Sequence, residues 1–460
     1  MSQPHIDQPL PSIVPTGAVE SPWITDIGRS IAAKVRALIP LIREQAQEGE
    51  RIGALTPDVL QAVTDAGIFK MGMPLEWGGY ALGARDLVEI ISLLGEGDGS
   101  AGWAGFVGVG MKNLLALKPQ VIEEVRLDTE GWAGPVIVGA SVYATKVGDA
   151  RKVDSGWMVK GRWAFGSGCK HAKWALLGIE YNPASTGGSG RGVVVVQRDQ
   201  YEILDDWHVM GLSGSASNSL EIVSEQFVPD HRFLDLAEFP MRMQMIRNHF
   251  HGAGFQQRGL AQLLTVTLTN IAIALGMARG ALSCFAEQAQ TRKPFSLPYP
   301  TIADMASVQV AAGKSLAMIK VAAATIEGCA DQLDARTAVG LDFAMEEESE
   351  ISLSLAYAGN LCEDAITLLQ KTIGSSTMSL KNPIQRFARD VRVLTSHGAI
   401  RVDPQSEQNG RRILGREPFS MFGGAVPTRD NQLPGNPHSG IQPPGNPFPG
   451  TPFKKEFVNR

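Results

Sequence analysis

The chain has 460 residues, 44% of them apolar, and a net charge of −5 from 42 basic and 47 acidic side chains. That length exceeds what one hydrophobic core usually fills, so two or three subdomains are expected, and the mild acidity gives no reason to expect nucleic acid or an anionic membrane as partner. Cys169, Cys284, Cys329 and Cys362 are widely spaced with no CxxC pair; they read as reduced thiols of a cytoplasmic protein, not as a zinc site or a disulfide set.

Residues 1–22 are polar and Pro-rich, an expected flexible arm without the basic start and apolar stretch of a secretory signal. Along the chain no run of about twenty apolar residues stands out, so no transmembrane helix is expected. Residues 23–133 form an expected N-terminal helical domain. Ile27, Ile31, Val35, Leu38, Ile39 and Ile42 lie mostly three or four apart. Thr56-Pro57-Asp58 is a cap with Pro at the first helical position. Leu87–Gly95 reads as another helix, and Gly99-Ser100-Ala101-Gly102-Trp103 as a small-residue break ending near Asn113.

The texture changes at Gly134. Val136–Val142, Arg151–Val159, Trp163, Trp174–Ile179, Val193–Val196, Tyr201–Leu204 and Leu220–Val223 are short β-prone segments, separated by Gly, Asp, Ser and Asn. Residues 134–238 are therefore an expected β-barrel or sandwich. Residues 239–410 return to helix, with Leu264–Cys284, Met305–Leu333 and Met345–Thr372 long and periodic, as in a four-helix bundle that also builds an oligomer interface. Ala and Gly at close intervals in the first of these suit tight helix contact. Residues 411–460 repeat Pro-Gly-Asn-Pro at 434 and 444 and form a Pro/Gly-rich tail with no core of its own. The fold class is α+β and mostly α.

The run Ile373–Ile400 concentrates the chemistry. Gly374-Ser375-Ser376-Thr377 is a small flexible turn, Pro383 opens a helix, and Ile384, Phe387, Ala388, Val391 and Leu394 form its apolar stripe. Arg386, Arg389 and Arg392 lie on neighbouring faces, and His397 stands at the end, before a Gly398 expected to stop the helix. An imidazole with basic residues nearby suits a proton-handling group beside a bound anion, although a helix-end His is more often a cap and an arginine row more often a solvated face. No strand–GxGxxG–helix unit is present, so no nicotinamide site is expected. Gly313-Lys314-Ser315 is no phosphate loop, because Val308 stands where the first glycine is needed.

Several separated motifs resemble those of the acyl-CoA dehydrogenase fold, and within it the oxygenase components of two-component flavin monooxygenases. They are Ala66-Gly67-Ile68-Phe69 with Pro74 and Trp77-Gly78-Gly79, Gly99 to Trp103, Gly161 to Ala172, Trp207 through Gly211-Leu212 to Ser217-Asn218, and Gln385-Arg386 with Arg389-Asp390 and His397. The resemblance covers about residues 30–410. Many dehydrogenases of this fold place a catalytic Glu shortly after the Arg-Asp pair; this chain has Thr395-Ser396-His397-Gly398 there, as the oxygenase branch has a His. The resemblance implies reduced flavin (FMNH2 favoured, FADH2 the other option) and O2, a C4a-(hydro)peroxyflavin, a separate NAD(P)H-dependent flavin reductase, a homotetramer, and an aromatic or heteroaromatic substrate such as an indole or a phenol. It assigns catalysis to His397 and Ser167, flavin contacts to Ser167, Phe165 and Trp207, and the flavin phosphate to Arg292 and Lys293 with Gly374, Ser375 and Ser376. Trp103, Asn113, His249, Phe250 and His397 are the expected substrate pocket, with Met241–Phe255 as a lid, and no metal is expected because His249 and His251 lack a third ligand. His171 is expected to be structural, its ring bonded to backbone. An FAD-dependent acyl-CoA dehydrogenase with its Glu elsewhere, or a sulfur- or nitrogen-oxygenase of the same fold, are the alternatives.

Overall fold

The computed structural model describes residues 20–110, 112–142, 147–182 and 190–419, apart from the side chains of Asn113 and Asn248. Most of the N-terminal arm and of the Pro/Gly-rich tail lies outside these residues.

The first layer is helical. Helix α1 (Asp26–Ile52) is capped by the Thr25 side chain and stopped by Gly53 in the left-handed region; α2 (Pro57–Ala66) is capped by Thr56. Helices α3 (Ala84–Gly97), α4 (Gly99–Val109), α5 (Lys112–Leu115) and α6 (Pro119–Asp128) follow. The small-residue stretch after Gly99 is thus a helix rather than a break. Asp98 explains it: its carboxylate accepts from Ser100 N at 3.0 Å and Ala101 N at 3.4 Å, supplying the cap that glycine and alanine lack.

The middle layer is one sheet of eight strands among the described residues. They are β1 (Ile137–Ala140), β2 (Gly148–Val153), β3 (Gly156–Trp163), β4 (Trp174–Tyr181), β5 (Gly190–Gln197), β6 (Glu202–Ile203), β7 (Leu220–Pro229) and β8 (Phe233–Asp235). Their order is β6-β7-β3-β2-β4-β5-β8, with β1 parallel to β4. The expected strand Arg151–Val159 is two strands, joined by a hairpin at Asp154-Ser155 in which Ser155 takes φ +64°. Alternation divides the faces. Ala175, Leu177 and Ile179 pack with Val159, Trp163 and Leu220, whereas Trp174 and Leu176 pack with Leu114, Leu117 and Val121 beside α5 and α6.

Helices α7 (Phe239–His249), α8 (Ala253–Gln256), α9 (Gly259–Thr291), α10 (Ala306–Ala338), α11 (Met345–Ile373), α12 (Pro383–Thr395) and α13 (Val402–Ile413) complete the chain; α13 carries the last domain slightly past its expected limit at 410. By length and composition α9 is apolar enough to cross a membrane, contrary to the sequence reading, but most of it is buried inside the protein. It is the central helix of the bundle, touching α3 so closely that a Cβ on Gly276 would fall 2.0 Å from Ser92 O. All four cysteines are free.

Candidate active site

Helix α12 organises the site. Asn382 caps it, its side-chain oxygen accepting from Ile384 N at 3.0 Å, and Pro383 occupies the first turn. The helix ends at Thr395 with Ser396 as cap, before reaching Gly398. A tight turn follows: His397 N donates to Leu394 O at 2.9 Å, and Ile400 N to His397 O at 3.0 Å. The Ala399 N–H donates to His397 Nδ1 at 3.4 Å. In the neutral ring this leaves the proton on Nε2 as a donor. His397 keeps contact with solvent, yet the protein around it disfavours the imidazolium and lowers its pKa below the ordinary histidine value. Its ring meets the buried Trp103 of α4 edge-on, with centroids 5.7 Å apart, and Trp103 in turn packs on Phe106 at 5.1 Å. Trp103 Nε1 is buried without a hydrogen-bond partner.

The three arginines of α12 form neither an anion site nor a solvated row. Arg386 is buried and its Nε lies 3.1 Å from Asp98 Oδ1. Arg389 bonds Gln385, the Met210 carbonyl and, at 2.6 Å, Glu50. Arg392 faces Glu363 at 3.8 Å. A helix end also exposes carbonyls rather than N–H groups, so the His397 end suits a cation better than an anion.

The β layer supplies an aromatic wall. Phe165, just past β3, is 65% exposed and holds φ +60°, a conformation that costs a non-glycine residue of order 1–3 kcal/mol. Trp207 meets it edge-on at 6.1 Å and donates from Nε1 to Leu212 O at 3.2 Å. Ser167, two residues on, shares a 2.8 Å hydrogen bond with Ser217, which shares another of 2.8 Å with Ser215. The segment 207–218 is thereby laced to the strand end: Gly166 N donates to Asn218 O, Gly168 N to Ser215 O, and Cys169 N to Ala216 O. On its other side the segment lies against α12, where a Cβ on Gly211 would fall 2.5 Å from Arg389 O.

Arg292 donates to the Ser376 hydroxyl, so these two residues of the expected phosphate site lie together. Gly374, Ser375 and Lys293 line the same open corner; Gly374 holds φ +93°, and a side chain there would meet nothing within 4 Å. This corner adjoins the Asn382 end of α12, where Asn382 bonds Gln288 at 2.8 Å. The 13 residues of α12 put it about 20 Å from His397. Within one chain the two groups therefore sit at opposite ends of one helix.

Phe250 is buried in a separate cluster, against Trp77 at 5.9 Å, Phe255 at 5.6 Å and His249 at 4.7 Å. Among the described residues no ring contact joins this cluster to Trp103 or His397. His251 bonds Glu76 at 2.7 Å, tying the expected lid to the Trp77 turn. The Asn113 side chain lies outside the described residues. No group of metal-ligating side chains occurs among the described residues. His171 differs from expectation: its Nε2 is buried without a partner, and burial lowers its pKa to about 4. Sequence reading gave no role to Asp98, Asp390 or Ser217; only the cap signal of an Asp before Gly-Ser-Ala pointed to the first.

The chain's residues 268–402 match the family described as acyl-CoA dehydrogenase, C-terminal domain. The crystal structure of the HsaA monooxygenase from M. tuberculosis superposes with a TM-score of 0.72 at 26% identity, over 86% of this chain and 100% of that one. This chain has the acyl-CoA dehydrogenase fold. The sequence relatives lie in its oxygenase branch, and the resemblance drawn from the motifs is borne out. The chain is 29% identical to the flavin-dependent monooxygenase oxygenase subunit HsaA of Mycobacterium tuberculosis over 81% of its length and 92% of that protein's. It is 26% identical to the FADH(2)-dependent resorcinol hydroxylase oxygenase component of Rhizobium sp. (strain MTP-10005), over 89% of this chain and 99% of that one. Within the acyl-CoA dehydrogenase fold, then, the α12 end carries an imidazole beside an indole.

Proposed function

We propose that the protein is the oxygenase component of a two-component flavin-dependent monooxygenase acting on an aromatic or heteroaromatic molecule. The observation that carries this is the place of His397, packed on Trp103 where many relatives of the fold carry a catalytic carboxylate. Glu363, on the neighbouring α11, accepts from Thr395 Oγ1 at 2.7 Å and faces Arg392. Helix α9 carries no acid before Glu287, near its far end. Abstraction of a thioester α-proton is thus served neither by Glu363, which is already bonded, nor by an acid of α9 before Glu287.

The residues fit a flavin. The exposed Phe165 and the half-buried Trp207 offer faces to a flat ring system, and the neutral Ser167 hydroxyl suits its N5/O4 edge. Arg292 and Ser376 supply donors for a phosphate, in the manner of a charge-assisted clamp. Reduced flavin would supply dioxygen activation at its C4a carbon. The protein's own part is to orient and to manage one proton: the Nε2–H of His397 donates to substrate or oxygen, and Trp103 packs against one side of that imidazole. FMN is the favoured flavin, FAD the other option, and a separate NAD(P)H-dependent reductase delivers it reduced.

A homotetramer fits the surface around the phosphate corner. Phe295 is 95% exposed there, with Leu297, Tyr299, Met378 and Leu380 also exposed, a patch suited to a second copy of the chain. Four free thiols suit a cytoplasmic setting. The test supplies the protein with a generic flavin reductase, NADH, FMN or FAD, and a panel of phenols, indoles and thioethers. Incorporation of one atom of labelled oxygen into a panel member is expected. Bleaching of bound FAD by an acyl-CoA with no oxygen incorporation would overturn the reading.

A further inference from the structure

Behind the site, five charged side chains meet where α1, α4, α12 and the 207–218 segment converge. Asp98 caps α4 and faces Arg386 at 3.1 Å. Asp390 Oδ1 accepts from Leu212 N at 2.7 Å, and its Oδ2 is buried with no partner. A Cβ on Gly99, the residue after Asp98, would fall 2.9 Å from that same Oδ2. Glu50 of α1 faces the group and pairs with Arg389 at 2.6 Å. Three carboxylates against two guanidiniums leave one negative charge in excess, in an interior where Asp98 is 4% and Asp390 1% exposed. One proton makes the cluster neutral, and a buried uncompensated charge is strongly disfavoured.

We infer that Asp98 and Asp390 share one proton, Asp390 Oδ2–H donating to Asp98, and that this pair is the positioning device that holds the 207–218 segment in register with α4 and α12. The consequence reaches the site through named bonds. Asp390 holds Leu212, which at φ +55° accepts from Trp207 Nε1 through its carbonyl. Three to five residues on, Ser215, Ala216 and Ser217 hold Gly168, Cys169 and Ser167 in turn. Asp98 starts the helix that carries Trp103, and His397 lies in the turn just after α12. Three walls of the site are therefore registered at one protonated carboxyl.

Burial raises the pKa of both carboxyls, and the charge of Asp98 raises Asp390 further. The other titratable groups on this side do not replace the proton. Arg43 of α1 faces Glu287 and the Glu96 carbonyl, the Glu96 carboxyl is itself raised by burial, and Cys284 of α9 stays a thiol because burial pushes it up to about 11. A group whose folded pKa is raised holds its proton more tightly folded than unfolded. The hold is complete at low pH and is lost as pH rises through the folded pKa.

Asp390→Asn copies the protonated carboxyl, accepting from Leu212 and donating to Asp98, whereas Asp390→Ala removes both bonds. Amide hydrogen exchange of the 207–218 segment in the full chain, corrected for intrinsic rate, reads the register directly. In the native protein protection should fall at least tenfold as the pH is raised through the elevated titration of the pair, in a single alkaline step. Asp390→Asn should keep the protection and lose the step, and Asp390→Ala should lose protection throughout. Equal loss in both variants, or native protection without a step, overturns the inference; if Asp390→Ala does not fold, the native–Asn contrast still decides. The inference rests on the proposed flavin site only for its benefit to catalysis. A normal exchange pattern in a protein that binds no reduced flavin would sink that reading and leave the shared proton standing.

Discussion

The imidazole of His397 stands edge-on to the indole of Trp103, centroids 5.7 Å apart and planes at 63°. One residue comes from the turn after α12 and the other from the second turn of α4, so the contact exists only when those helices are in register. His397→Ala is expected to lower product formation by about 10²–10⁴-fold, the usual weight of a proton-handling group, while reduced flavin still binds. Unchanged turnover would remove His397 from the mechanism.

The pH profile carries a sign. The folded pKa of His397 is depressed by the protein around it, so the neutral ring persists below the ordinary histidine range and is lost only as pH falls through the depressed value. Substrate oxygenation should therefore stay high at neutral pH and drop on the acid side with one proton. His397→Gln should lose that acid limb; a limb of the same midpoint in the variant assigns it elsewhere.

The Ser167–Ser217–Ser215 chain predicts unequal effects. Ser167→Ala removes the hydroxyl nearest the aromatic wall and should weaken reduced flavin about 5–10-fold, the weight of one neutral hydrogen bond. Ser215→Ala leaves the Ser167–Ser217 bond intact and should change affinity less than twofold. Titration of each variant by fluorescence under anaerobic conditions separates the two, and a reversed order contradicts the placement of Ser167.

Arg292 and Ser376 predict a preference for phosphate. The native protein should bind FMN at least tenfold more tightly than riboflavin, and Arg292→Ala should erase most of that difference. A variant that keeps the full preference places the phosphate elsewhere. Because Arg292 and His397 lie at opposite ends of α12, mixing Arg292→Ala with His397→Ala chains should restore part of the activity if the site is shared between copies.

Arg386→Ala leaves Asp98 buried without its counterion. A loss of about 3–5 kcal/mol of folding stability is expected from breaking a buried pair on one side. Urea denaturation checks it; a loss below 1 kcal/mol would mean that Asp98 is already neutral in the native state.

The sequence alone determined the element order, the change of texture at Gly134, the long helices of the bundle and the place of His397 just past the helix that Pro383 opens. These follow from local rules: a period of 3.6 for buried helix faces, Thr and Pro at helix starts, alternating or β-branched runs for strands. It also held the motifs by which the fold could be recognised. Other features escaped it because they depend on partners distant in the chain. The row of arginines on α12 has no local sign that Arg386 meets Asp98, Arg389 meets Glu50 and Arg392 meets Glu363. The Gly99 stretch reads as a break until its glycines are seen as room for α3 and α9 to approach. His249 and Phe250 are apolar-flanked candidates until Trp77 and Phe255 claim Phe250. Tertiary contact decides these cases, because the cost of a buried charge or an unfilled face is set by whatever the folded chain brings beside it.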